Sequence, residues 1–155
     1  MAVKPIPEGQ HSITPYLGIK GAHIAIEFYK EAFGAIEMFR LNGPDGRVGH
    51  AELKIGDSSL MLAEPCDMSS LGNQEQAKPG IGLHLYVEDV DATFAQAIKA
   101  GAIQDSPVTD QFYGDRSGSV KDPFGNLWFI ATHKEDLSVE EIRARAAKMF
   151  GGAQG

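Results

Sequence analysis

Two histidines and a glutamate stand where they could move protons or bind a metal. His50 and Glu52 lie two residues apart in the run RVGHAELKI, and His84 sits in IGLHLYV. Side chains two apart on an extended strand share a face, so His50 and Glu52 become neighbours if that run is a strand. Histidine titrates nearest neutral pH, and an adjacent carboxylate favours its charged form. Such a pair can carry a proton to and from a small substrate. Neutral imidazoles with a carboxylate also suit Zn or Fe, so a metal site built from His50, Glu52 and His84 is a second reading. A third leaves His50 and Glu52 on a solvated strand face and His84 as a hydrogen-bonded pocket residue.

Other reactive side chains read differently. The segment GDRSGSV sets Asp115, Arg116 and Ser117 in a glycine-flanked loop at the start of a strand. Arg116 could anchor a phosphate or carboxylate there, or simply pair with Asp115. Cys66, the single cysteine, lies in a polar stretch beside Asp67, whose charge disfavours a thiolate. His11, His23 and His133 read as surface residues. Trp128 faces the helices by alternation and reads as core.

The elements that must position these residues are written twice. A strand-like run Ile13–Ile19 leads into a helix-like run Ala22–Phe33 closed by Gly34-Ala35, and the pattern recurs as Ile81–Val87, Val90–Ala100 and Gly101-Ala102. The offset is 68 residues, and two copies make a duplicated half-domain rather than a solenoid. Ile13, Pro15, Leu17 and Ile19 give the first strand an apolar face. Ala22, Ile26, Tyr29 and Phe33 give its helix a buried stripe. Strands are predicted at Ile36–Leu41, Arg47–Ile55 and Ser59–Glu64, with NGPDG and Gly56-Asp57 as turns.

A polar connector at 65–80 separates the halves. The second then runs Gly82–Val87, a helix at 90–100 with Phe94, Ala97 and Ile98 inward, and strands at 105–110, 116–121 and 127–133, the last two joined by DPFGN. Ser138 and Glu141 form a capping box for an added helix, Val139–Phe150. The class is α+β. We read residues 1–155 as one domain, divided into a first module at 11–64, a second at 81–135 and a C-terminal helix at 138–150.

Composition narrows the function. A net charge of -7 with no basic patch argues against nucleic acid. No run approaches the roughly 20 apolar residues that span a membrane. The start MAVKPIPEGQ lacks a secretory pattern, and a lone cysteine agrees with a reducing cytoplasm. Of 18 glycines, none forms a phosphate-loop or GxGxxG pattern after a strand.

Two strand-helix-three-strand modules, with FYKEAFGA ending the first helix and DPFGNLWFI ending the second module, resemble the vicinal oxygen chelate superfamily of glyoxalases, bleomycin-resistance proteins and dioxygenases. The phrases ITPYL, HAELKIGDSSLMLAE and FYGDRSGSVKDPFGN look most like its PhnB-like branch. The resemblance covers residues 11 to 135. It implies two βαβββ modules whose curved mixed sheets form a cup, and in the metal enzymes four strand positions whose His and Glu side chains hold one divalent ion.

Carried residue by residue, that pattern places Thr14, Met61, Gly82 and Phe129 at those four positions. Thr14 to Gly82 and Met61 to Phe129 are both separated by the repeat length of 68. None is a normal ligand for a divalent ion, so no metal and no other cofactor is expected, with a shifted site at His50, Glu52 and His84 as the exception. Alternation sends Thr14, Tyr16, His50, Glu52, His84 and Tyr86 toward the cup, with Met61 and Phe129 as apolar wall. The reading is therefore a cytoplasmic small-molecule binder, expected to be a homodimer. Two alternatives stay open. One is an isomerase or lyase acting on a small oxygenated substrate, with His50 and His84 as proton carriers and Tyr16, Tyr86 or Arg116 stabilising an enolate. The other is a dimeric accessory protein without catalysis.

Overall fold

The computed structural model describes residues 6, 8–11, 13–65 and 82–151. Cys66, Asp67, the rest of the connector up to residue 80, Ile81 and most of the N-terminal arm lie outside the described residues. The chain divides into two compact units, Met1–Gly80 and Ile81–Gly155.

In the first unit, β1 (Tyr16–Gly18) leads to α1 (Ala22–Phe33), then β2 (Ile36–Asn42), β3 (Val48–Ile55) and β4 (Ser58–Ala63). The strand order is β1-β4-β3-β2, with β1 parallel to β4 and the other neighbours antiparallel. Helix α1 forms because Ala22, Ala25, Ile26, Tyr29 and Ala32 recur on one stripe, and all five are fully buried. It stops at Gly34, where the backbone N–H of Gly34 reaches Lys30 O at 3.0 Å and that of Ala35 reaches Tyr29 O at 3.1 Å. Leu17, Ala51, Leu53, Leu60 and Leu62 complete this core.

The second unit repeats the order with β5 (Gly82–Tyr86), α2 (Val90–Ala100), β6 (Ile103–Asp110), β7 (Asp115–Lys121) and β8 (Leu127–His133), arranged β5-β8-β7-β6. Asp89 caps α2, its side chain accepting from Ala92 N at 3.1 Å. The two sheets pair in matching register: Tyr16 lies opposite Met61, and His84 opposite Phe129. Both pairs are related by the 68-residue repeat, so duplication governs pairing as well as element order.

Helix α3 (Val139–Gly151) follows. Its capping box is formed: Ser138 N donates to Glu141 Oε2 at 3.2 Å, and Glu141 N donates to Ser138 Oγ at 3.1 Å. Among the described residues no helix is long and apolar enough to cross a membrane.

Three expectations about packing are corrected. Ile13 and Pro15 do not join the buried face; Ile13 is 87% exposed. Among the described residues the ladder with β4 begins at Pro15, whose O accepts from Met61 N at 2.9 Å. Ile98 is not inward but exposed. Val90, Phe94 and Ala97 form the inward line of α2, and Ile98 stands about 100° around the helix from Ala97. Finally β6 begins at Ile103, opposite Lys121, two residues before the predicted start.

Candidate functional site

Cross-strand register decides which residues share a face. In the first unit Tyr16, Met61, Glu52 and Phe39 form one row across the sheet, and Leu41 lies opposite His50 in the next. Leu17, Leu62 and Leu53 occupy the other face, buried under α1. The candidate residues therefore stand together on the side of the sheet away from the helix, as alternation required.

On that face three polar groups are joined end to end. Tyr16 Oη and His50 Nδ1 are 3.0 Å apart, and His50 Nε2 and Glu52 Oε1 are 3.3 Å apart. A carboxylate only accepts, so Nε2 carries the ring proton toward Glu52 and Nδ1 accepts from the tyrosine hydroxyl. The Tyr16 ring meets the imidazole edge-on at a centroid distance of 5.4 Å, and Phe39 lies at 6.2 Å. The side chains of His50 and Glu52 are 28% and 27% exposed, so a small molecule can reach them.

In the second unit His84 packs against Tyr86, with centroids 4.6 Å apart, and against Phe129 at 6.3 Å. His50 and Glu52 thus meet within one module, while His84 belongs to an aromatic cluster of the other. Gly82 and Phe129 are themselves close: a Cβ added at Gly82 would lie 2.7 Å from Phe129 Cε2. The phenyl ring fills the space that a side chain at position 82 would need.

Arg116 does not join these residues. Its guanidinium is clamped by Asp91, at 2.8 and 2.9 Å, and by Asp110 at 3.2 Å, and these carboxylates hold it in its charged form. Asp91 belongs to α2, so Arg116 faces the helix. Its expected partner Asp115 points to the opposite face.

Sequence reasoning missed what Asp115 does there. It is 5% exposed and directly opposite His133 in the β7–β8 register. Tyr86 Oη donates to Asp115 Oδ2 at 3.0 Å, His133 Nδ1 lies 2.8 Å from Asp115 Oδ1, and His133 Nε2 lies 2.8 Å from Asp136 Oδ1. A carboxylate on each ring nitrogen favours the charged form of the imidazole. The bond to Asp115, then that to Asp136, raises its pKa above the ordinary 6.5. Asp115 likewise raises the Tyr86 pKa, because its carboxylate accepts a hydrogen bond from the protonated hydroxyl. The signal was available: pairing Lys121 with Leu127 across DPFGN places Asp115 opposite His133. A cleft of about 420 Å³ opens beside it, lined by Asp110, Gln111, Gly114, Asp115, Lys134 and Glu135.

This arrangement sets a pH dependence. A group whose pKa is raised by folding adds stability that is fully present below its unfolded pKa and fades as pH rises through the folded value. Wild-type protein is therefore expected to lose melting temperature as pH increases from about 6.5. His133→Gln should flatten that slope; a variant curve parallel to wild type would contradict the assignment.

Comparison with known proteins places this geometry. The family model of the Glyoxalase/Bleomycin resistance protein/Dioxygenase superfamily matches residues 16–130. The chain belongs to this superfamily. An uncharacterized protein of Mycobacterium bovis is 36% identical over 145 residues, covering 91% of this chain and 95% of that one. A solved gene product of Arabidopsis thaliana superposes with a TM-score of 0.59 at 29% identity, covering 78% of this chain and 98% of that chain. A PhnB protein from Bacillus cereus has the same fold, with a TM-score of 0.63 at 19% identity over 79% of this chain and 99% of that chain.

The four positions that the resemblance assigned to metal ligands are judged by their chemistry. Thr14 offers a neutral hydroxyl, Met61 a soft thioether, and Gly82 and Phe129 offer no donor, a set that does not fit a hard or borderline divalent ion. Among the described residues no group of three or more His, Cys, Asp or Glu side chains has a geometry that could hold a metal ion.

Proposed function

We propose that this superfamily member binds a small aromatic or amphipathic molecule on the open faces of its module sheets, and does so without a divalent ion at the four inherited positions. The observation that carries the reading is the contact between Gly82 and Phe129. With 2.7 Å between a Cβ at position 82 and the Phe129 ring, an apolar wall stands where a ligating side chain would be. Tyr16, Phe39 and Met61 on the first sheet, and separately His84, Tyr86 and Phe129 on the second, supply aromatic or thioether surface with a few hydrogen-bonding groups. That is the usual lining of a small-molecule site.

The test combines metal content with binding. Protein purified without added metal should carry far less than one equivalent of Zn, Ni, Mn or Fe. It should bind 8-anilinonaphthalene-1-sulfonate saturably, with an affinity unchanged by EDTA. Phe129→Ala should weaken that binding about 3- to 10-fold, on the order of 1 kcal/mol. One tightly bound metal per chain, or binding abolished by EDTA, would overturn the proposal.

A further inference from the structure

The sequence reading paired His50 with His84 as proton carriers, but the partner that the structure gives His50 is a hydroxyl. Tyr16, His50 and Glu52 form one chain of contacts, hydroxyl to imidazole to carboxylate, at 3.0 and 3.3 Å within a single sheet. A hydroxyl activated by an imidazole that a carboxylate orients is the general arrangement for drawing a proton away from a reacting group. All three of its members sit opposite apolar residues: Met61 is the strand partner of both Tyr16 and Glu52, and Leu41 is the partner of His50. Tyr16 is 43% exposed, Phe39 49% and Leu41 59%, so the outer end of the relay and its apolar surroundings are open together.

We propose that Tyr16 is the acid-base catalytic residue of this face, acting on a small carbonyl compound with an acidic C–H bond. His50 and Glu52 are the positioning residues behind it. The step balances without any co-reactant. The substrate C–H bond breaks and its electron pair moves into the carbonyl, giving an enolate. The proton passes to Tyr16 Oη while the tyrosine's own proton moves to His50 Nδ1, and the Glu52 carboxylate stabilises the resulting imidazolium. With an α-hydroxy carbonyl compound, return of the proton from Tyr16 to the former carbonyl carbon, with the hydroxyl proton passing to the former carbonyl oxygen, completes an isomerisation.

The inference rests on the reading of this face as a ligand site, and one experiment separates the two. 5-Nitrobenzisoxazole is a flat, uncharged C–H acid whose ring opens when a base removes its proton: the C–H and N–O bonds break and a coloured phenolate forms. Binding is followed by titration and turnover by absorbance, with melting temperature as the check on folding. Wild-type protein should bind the probe saturably and turn it over faster than buffer. Tyr16→Phe and His50→Gln should each lower kcat on the order of 100-fold with KM within twofold, the range of general acid-base catalysis. Glu52→Gln should lower kcat about 10-fold, with partial recovery in Glu52→Asp. Saturable binding without turnover, or a Tyr16→Phe variant within twofold of wild type, would overturn the relay and leave the binding reading standing. Absence of saturable binding would overturn the binding reading, and the relay with it.

Discussion

Replacing Asp122 by Ala is expected to destabilise the second unit by about 3–5 kcal/mol, the largest effect anticipated for a single polar side chain here. Asp122 is 4% exposed and its carboxylate ties the DPFGN turn to the start of β8. Its Oδ1 accepts from Phe124 N at 2.9 Å and from Asn126 N at 2.8 Å, and its Oδ2 accepts from the Trp128 indole N–H at 3.0 Å. Hydrogen bonds to an ionised acceptor contribute more than neutral ones, and a buried donor left without one adds its own desolvation cost. The turn also sets the pairing of Lys121 with Leu127, from which the whole β7–β8 register follows. Asp122→Asn should recover part of the loss, because the amide keeps one acceptor oxygen but presents an N–H group to the remaining donors. Urea denaturation curves measure both variants; a loss below about 1 kcal/mol for Asp122→Ala would show that the turn does not depend on this carboxylate.

Gly114→Ala is expected to cost about 2–4 kcal/mol. Gly114 has φ of 98°, outside the range that L side chains adopt readily, and an added Cβ would lie 2.6 Å from Glu135 O. The obstacle is backbone, so it cannot swing away as a side chain would. The same glycine uses its carbonyl to accept from Lys134 N and Glu135 N, both at 2.9 Å. Any shift that relieves the clash therefore disturbs the segment leading to α3, along with the neighbouring Asp115–His133 contact. Thermal unfolding gives the magnitude, and the pH slope attributed to His133 should flatten in the same variant. Wild-type stability with an unchanged slope would refute the account.

Much of this architecture was legible because periodicity and repetition are local signals. The stripe of α1, the inward Trp128 and the Ser138–Glu141 cap all follow from spacing along the chain. The errors have physical reasons. Ile13 looked like core because alternation cannot see where a partner strand stops. Ile98 looked inward because helical spacing fixes a stripe but not its centre. Arg116 was assigned to the ligand face because its place in the alternation was not counted from Trp128, which would have sent it toward α2. The relay shows a deeper limit. Tyr16 and His50 were each singled out, yet their contact depends on how β1 and β3 sit on either side of β4, and that register is a property of the sheet.

The parallel pairing of the first and last strand in each module has a kinetic consequence. Tyr16 meets Met61 and His84 meets Phe129, so each module closes over the same length of chain, and the entropic cost of closure is the same for both. Neither half gains a folding-rate advantage from topology, since contacts of equal sequence separation weigh equally on the barrier. What differs is the local hairpin that forms before closure: Gly56-Asp57 between β3 and β4, against the longer DPFGN turn between β7 and β8. The first module, made first on the ribosome, also has the shorter hairpin to nucleate, and so should reach its closed sheet ahead of the second.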